Sequence, residues 1–170
     1  MKEEIQIVLF RTQLSFVSFM IWMVTGYPIS HSAVIWRGQL YDSSESRGDF
    51  GVGTPVKNYG QREVLVYNRQ VAPQEALGWI QEVGAIKYDY VGVLGWFAAW
   101  LFKPVRFLSK FFLRKTLQSK KVWCFEATAK LLLRSGIAKN IEAPTHGGHL
   151  MQVLGEPDYT GTAEDWVKRG

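Results

Sequence analysis

The chain has 170 residues, of which 47% are hydrophobic and 21% charged, with seven Trp, seven Tyr and ten Phe. That length suits one domain with a core of its own and is short for two, and the aromatic content excludes a disordered chain. The formal net charge of +5 is local: no acidic residue lies between Asp89 and Glu126, a stretch that holds Lys103, Arg106, Lys110, Arg114, Lys115, Lys120 and Lys121. Outside it thirteen basic side chains stand against fifteen acidic ones, so the rest of the domain is mildly acidic, which argues against nucleic acid as partner.

In chain order, residues 5–10 (Ile-Gln-Ile-Val-Leu-Phe) have the β-branched, partly alternating character of a strand, and residues 15–25 read as a buried helix closed by Gly26 and Pro28. Residues 31–37 and 39–42 form two short β-type runs around Gly38, the pattern of a hairpin, and the Ser- and Gly-rich residues 43–53 read as a loop. A strand is expected over 62–67, then a helix over 73–83 with Pro73 in its first turn and Gly84 as its stop. The apolar runs 14–24 and 91–102 are each shorter than the ~20 residues of a membrane-crossing helix and are read as buried helices. From Lys103 the basic residues 103, 106, 110 and 114 recur at three- and four-residue spacing, with Val105, Leu108, Phe111 and Phe112 on another face, a basic amphipathic helix. Residues 123–133 predict a strong helix ending in Arg134-Ser135-Gly136, and a short helix at 149–154 precedes a polar tail from Pro157. The expected core therefore spans about residues 5–154 of a single domain, 1–170.

The single Cys124 excludes an internal disulfide and a multi-cysteine zinc site. It opens the helix 123–133 directly after Lys120 and Lys121, and both the helix N-terminus and nearby cations favour thiolate, as a nucleophile requires. A buried structural thiol is the plainer alternative. Of the three histidines, His31 opens a strand, with Asp42 at the far end of the hairpin, so adjacent antiparallel strands bring base and carboxylate together if both face one side. His146 and His149, three residues apart in Thr-His-Gly-Gly-His, invite a metal, but no third ligand is near, and Thr145 is the expected cap of the last helix. Asp89 suits an N-cap, and Tyr88 and Tyr90 are candidates to line a cleft beside the thiol. The start Met-Lys-Glu-Glu lacks a signal-peptide pattern, so synthesis in the cytoplasm is expected.

Taken in order, Ser30-His31 opening a strand, Tyr41-Asp42-Ser43 at the hairpin's end, Tyr88-Asp89-Tyr90-Val91-Gly92, and Trp123-Cys124-Phe125-Glu126 opening a helix resemble the NlpC-type papain-like superfamily in its circularly permuted form. The resemblance implies an α+β fold in which a small antiparallel sheet packs against helices, one of them bearing the nucleophile. It implies catalytic roles for Cys124, His31 and Asp42; Tyr88, Tyr90 and Trp123 are the expected substrate-binding residues, and no metal or cofactor is expected. Phe125 departs from the common Cys-Ser-Glu pattern, so no role for a serine there carries over. The superfamily includes peptidases of peptidoglycan stem peptides, amidases, and acyl-handling enzymes related to lecithin:retinol acyltransferase. The first expectation is thus a cell-wall peptidase or amidase, by analogy carried in a bacteriophage tail and assembled with tail proteins. A lipid-directed thiol hydrolase or acyltransferase, with Lys103, Arg106, Lys110 and Arg114 on an anionic surface, and a silent structural component are the alternatives.

Overall fold

The computed structural model describes residues 1–12, 16–44, 48–84, 86, 87, 95, 97–99, 101, 123–141 and 145–169. The protein is α+β, with one six-stranded antiparallel sheet and helices. Strand β1 (Glu3–Arg11) is followed by α1 (Phe16–Thr25), β2 (Ile29–Trp36), β3 (Gln39–Ser44), β4 (Asp49–Val52), a 3-10 turn (Val56–Tyr59), β5 (Glu63–Val71) and α2 (Pro73–Gly84). Helices α3 (Cys124–Arg134) and α4 (Gly147–Leu154), strand β6 (Tyr159–Thr162) and helix α5 (Ala163–Arg169) complete it. The strands lie in the order β4-β3-β2-β1-β5-β6, so β1 is central and pairs with both β2 and β5.

The partial alternation of residues 5–10 has a simple cause. Ile5, Ile7 and Leu9 face the main core with Val34, Trp36, Leu65 and Tyr67 under α2 and α3, whereas Val8 and Phe10 face a second core with Ala33, Leu40, Val64, Val66 and Ala163. A strand covered on both faces needs no polar positions. Helix α3 presents Phe125, Leu131 and Leu132, all 0% exposed, to the main core, and α2 contributes Trp79 and Val83.

Three expectations are corrected. Residues 43–53 are not all loop, because β4 pairs with β3 and Phe50 enters the core against Trp79. Residues 157–170 are not simply a polar tail. Tyr159–Thr162 pairs with β5, the Asp158 carboxylate accepts from the Asn68 amide at 2.7 Å, and Ala163 and Trp166 cover the second core. Helix α1 is not buried all round: Ile21 is buried, but Phe19, Trp22 and Met23 are 47%, 44% and 38% exposed.

Helix α4 begins at Gly147, earlier than expected, and its cap is His146, whose Nδ1 accepts from the Gly148 amide at 3.1 Å, in place of Thr145. The glycines there allow close packing on β2: a Cβ on Gly147 would lie 2.5 Å from Ile29 Cβ. Because Ile29 Cβ is fixed to the strand backbone, Gly147→Ala should cost about 1–3 kcal/mol of stability. Thermal unfolding checks this, and an unchanged Tm would show that α4 and β2 are not locked together.

Candidate active site

His31 lies near the start of β2, and the two-residue turn Arg37-Gly38, with φ of +51° and +75°, returns the chain along β3. The register pairs Ile35 with Leu40 and Val34 with Tyr41. Strand alternation therefore puts His31, Ala33, Ile35, Leu40 and Asp42 on one face. There His31 Nε2 meets Asp42 Oδ2 at 2.8 Å. Asp42 is 3% exposed, and the segment after β4 closes over it, for a Cβ on Gly53 would lie 2.6 Å from Oδ1. The carboxylate is thus fixed on both sides, and the imidazole with it, while Phe10 lies against the ring with centroids 5.6 Å apart.

Cys124 is the first residue of α3. The Trp123 amide before it donates to Glu126 Oε2 at 3.4 Å, which fixes the helix entry. One turn on, Thr128 Oγ1 donates to the Cys124 carbonyl at 3.2 Å and accepts from Ser32 Oγ at 2.9 Å, while Trp79 Nε1 donates to the Ala127 carbonyl at 2.7 Å. The helix start is thereby anchored to β2 one residue from His31. Cys124 lies close enough to the imidazole to favour its charged form. With Nε2 held by Asp42, Nδ1 is the nitrogen left for sulfur.

Burial alone would push the His31 imidazolium down, but the Cys124 thiolate and then the Asp42 carboxylate, through hydrogen bonds and charge, raise it to about 9. Protonated His31 therefore persists through neutral pH and is lost as pH rises through about 9. Its ring resonances should titrate with that midpoint in an NMR pH series, an apparent value that belongs to the coupled pair. Cys124→Ala removes the strongest raising partner and should move the midpoint down. A midpoint near the ordinary 6.5, unmoved by Cys124→Ala, would show that sulfur and ring do not interact.

The structure brings together Cys124, His31 and Asp42. Trp123, expected to contact substrate, is 3% exposed, with its ring edge-on to Phe125 at 5.7 Å. Its large apolar ring gains more from the core than from solvent. Tyr88, Asp89, Tyr90 and the strip holding Lys103, Arg106, Lys110 and Arg114 lie outside the described residues. His146 stacks on His149 at 3.8 Å and on Tyr27 at 5.5 Å, and burial, then the like charge of His149, pushes His146 down to about 4. Among the described residues no three His, Cys, Asp or Glu side chains gather as metal ligands, and no helix is long and apolar enough to cross a membrane.

Three contributors carry no sequence signal of their own. Ser32 and Thr128 are 96 positions apart, and only the packing of α3 on β2 joins them. Arg62, read as the first residue of a strand, lies close enough to the Cys124 thiolate to feel its charge. Comparison of the chain with family models, with curated proteins and with solved structures found no match.

Proposed function

We propose that this protein is a cysteine hydrolase of amide bonds, built on the circularly permuted NlpC-type papain-like plan, with Cys124 as nucleophile, His31 as acid and base, and Asp42 as the positioning carboxylate. One observation carries the reading: an imidazole held by a buried carboxylate at 2.8 Å, with the thiol at a helix start close enough to favour its charged form.

In this reading the Cys124 thiolate attacks the carbonyl carbon and forms a C–S bond. The oxyanion is stabilised by the Cys124 N–H at the start of α3. Imidazolium His31 gives its proton to the leaving nitrogen as the C–N bond breaks, leaving a thioester. Neutral His31 then takes a proton from water, which attacks the thioester, and the acid product leaves with Cys124 restored as thiolate. Asp42 holds the ring in orientation throughout.

The substrate best suited to this reading is a peptide or amide of the bacterial cell wall. The test is release of soluble fragments from purified peptidoglycan, followed by mass spectrometry, for the wild-type protein and Cys124→Ala. Release by the wild-type protein alone supports it. Release by both, or by neither, counts against a wall substrate.

A second reading, a lipid-directed thiol hydrolase or acyltransferase, draws on the exposed Phe19, Trp22 and Met23 of α1, the helix packed on the strand that bears His31. Co-sedimentation with anionic liposomes discriminates. Binding that Trp22→Ser weakens favours lipid, and absence of binding removes that reading.

A further inference from the structure

We propose that Arg62 is the specificity-determining residue of this site and binds a carboxylate on the substrate, within about three residues of the scissile amide; the inference rests on the hydrolase reading above. Arg62 begins the approach to β5 and is held on several sides. Its Nε donates to the Arg11 carbonyl at 3.0 Å and one Nη donates to Ser30 Oγ at 2.9 Å, while the guanidinium lies over Phe10 at 5.0 Å and Tyr59 at 5.8 Å. A guanidinium has five N–H donors. Three of them are left without a protein acceptor among the described residues, and no carboxylate there pairs with Arg62.

The cations and anions around it are otherwise matched. In the same cleft, of about 450 Å³ and lined by Arg11, Thr12, Tyr59, Gln61, Arg62 and Glu63, Arg11 pairs with Glu63 at 2.8 Å and Gln61 occupies Glu164 at 2.6 Å. Arg62 is thus the uncompensated charge of the cleft, and burial destabilises its charged form. Thr12 Oγ1, on the same wall, is a buried hydroxyl with no partner. A planar, rigidly held guanidinium with spare donors and a spare hydroxyl beside it suits a carboxylate, which accepts two parallel N–H bonds.

The position ties this cleft to the nucleophile. Ser30, which holds Arg62, precedes His31, and the Phe10 ring touches both the guanidinium and the imidazole. Arg62 and His31 therefore lie against the same ring, a separation that no more than about three extended residues of substrate cover at about 3.3–3.6 Å each. The substrate class follows: amides carrying a carboxylate near the bond to be cut, as in acidic peptides.

The test compares two thiol reagents of equal reach, N-iodoacetylglycine and N-iodoacetylglycinamide, by the rate at which each modifies Cys124 in intact-mass measurements. The acid-to-amide rate ratio, referred to that of the chain unfolded in guanidinium chloride, should exceed the ratio of Arg62→Gln by about tenfold. Arg62→Lys should keep part of the preference, since it retains charge without the planar fork. Equal ratios in the wild-type protein and Arg62→Gln would overturn the proposal while leaving the nucleophile in place. If Cys124 reacts with neither reagent the hydrolase reading fails, and the carboxylate site is then judged on Cys124→Ala by NMR. A saturable shift of the Arg62 Nε–H on titration with N-acetylglycine upholds it, and no shift overturns it.

Discussion

Replacing His31 with Ala should lower Cys124-dependent amide hydrolysis by about 10²–10⁴-fold, the usual worth of a positioned acid and base. The expectation follows from the two proton transfers the ring would perform, to the leaving nitrogen and from the attacking water. It also follows from charge, since imidazolium His31 is the partner that stabilises a thiolate beside it. Asp42→Asn should have a smaller effect on rate and a diagnostic one on pH. The carboxylate raises His31, so its loss should shift the alkaline limb of the kcat/KM profile down from about pH 9. A steady-state pH series on the three proteins checks both points. A His31→Ala variant within a few-fold of the wild-type rate would remove the ring from the mechanism.

The largest expected effect on stability is at Trp79. This side chain is 1% exposed, lies edge-on to Phe50 at 5.0 Å and to Tyr41 at 6.3 Å, and donates to the Ala127 carbonyl at 2.7 Å. It therefore joins α2, β3, β4 and α3 in one contact. Trp79→Ala loses the buried ring and leaves a cavity, and should cost about 3–5 kcal/mol in chemical denaturation. Trp79→Phe keeps most of the packing but leaves the Ala127 carbonyl without this donor, and should cost about 1–3 kcal/mol. Because Ala127 sits one turn from the start of α3, the Ala variant should also lower Cys124 reactivity. A loss below 1 kcal/mol for Trp79→Ala would mean that α3 is held mainly by its contact with β2.

The elements with strong local patterns were legible from sequence. The helix at Pro73–Gly84 announces itself by Pro at its start and glycine at its end, and Cys124–Arg134 by its apolar stripe and basic last turn. The hairpin that joins His31 to Asp42 follows from two β-type runs about Gly38, and spacing alone brings the two residues to one face. Strands β4 and β6 are four residues each, too short for alternation to register, and pairing with β3 and β5 alone makes them strands. The burial of Trp123 beside the thiol has no local pattern to announce it, since it follows from the extended residue before α3 lying against Phe125. Arg62 was hidden for the opposite reason: a lone arginine at a strand start is ordinary, and its meaning comes only from Ser30, Phe10 and the absence of a carboxylate partner among the described residues.

The central claim, that Cys124 is an activated nucleophile rather than an inert core thiol, is tested most directly by alkylation with iodoacetamide at pH 6, read by intact mass on the folded protein and on the same chain unfolded in guanidinium chloride. A free thiol near its ordinary value of ~8.5 is almost wholly protonated at that pH and reacts slowly. The folded protein should react faster than the unfolded chain, and His31→Ala should abolish the difference. A folded protein that reacts more slowly than its unfolded chain, with His31→Ala unchanged, would make Cys124 a packing residue and contradict the account.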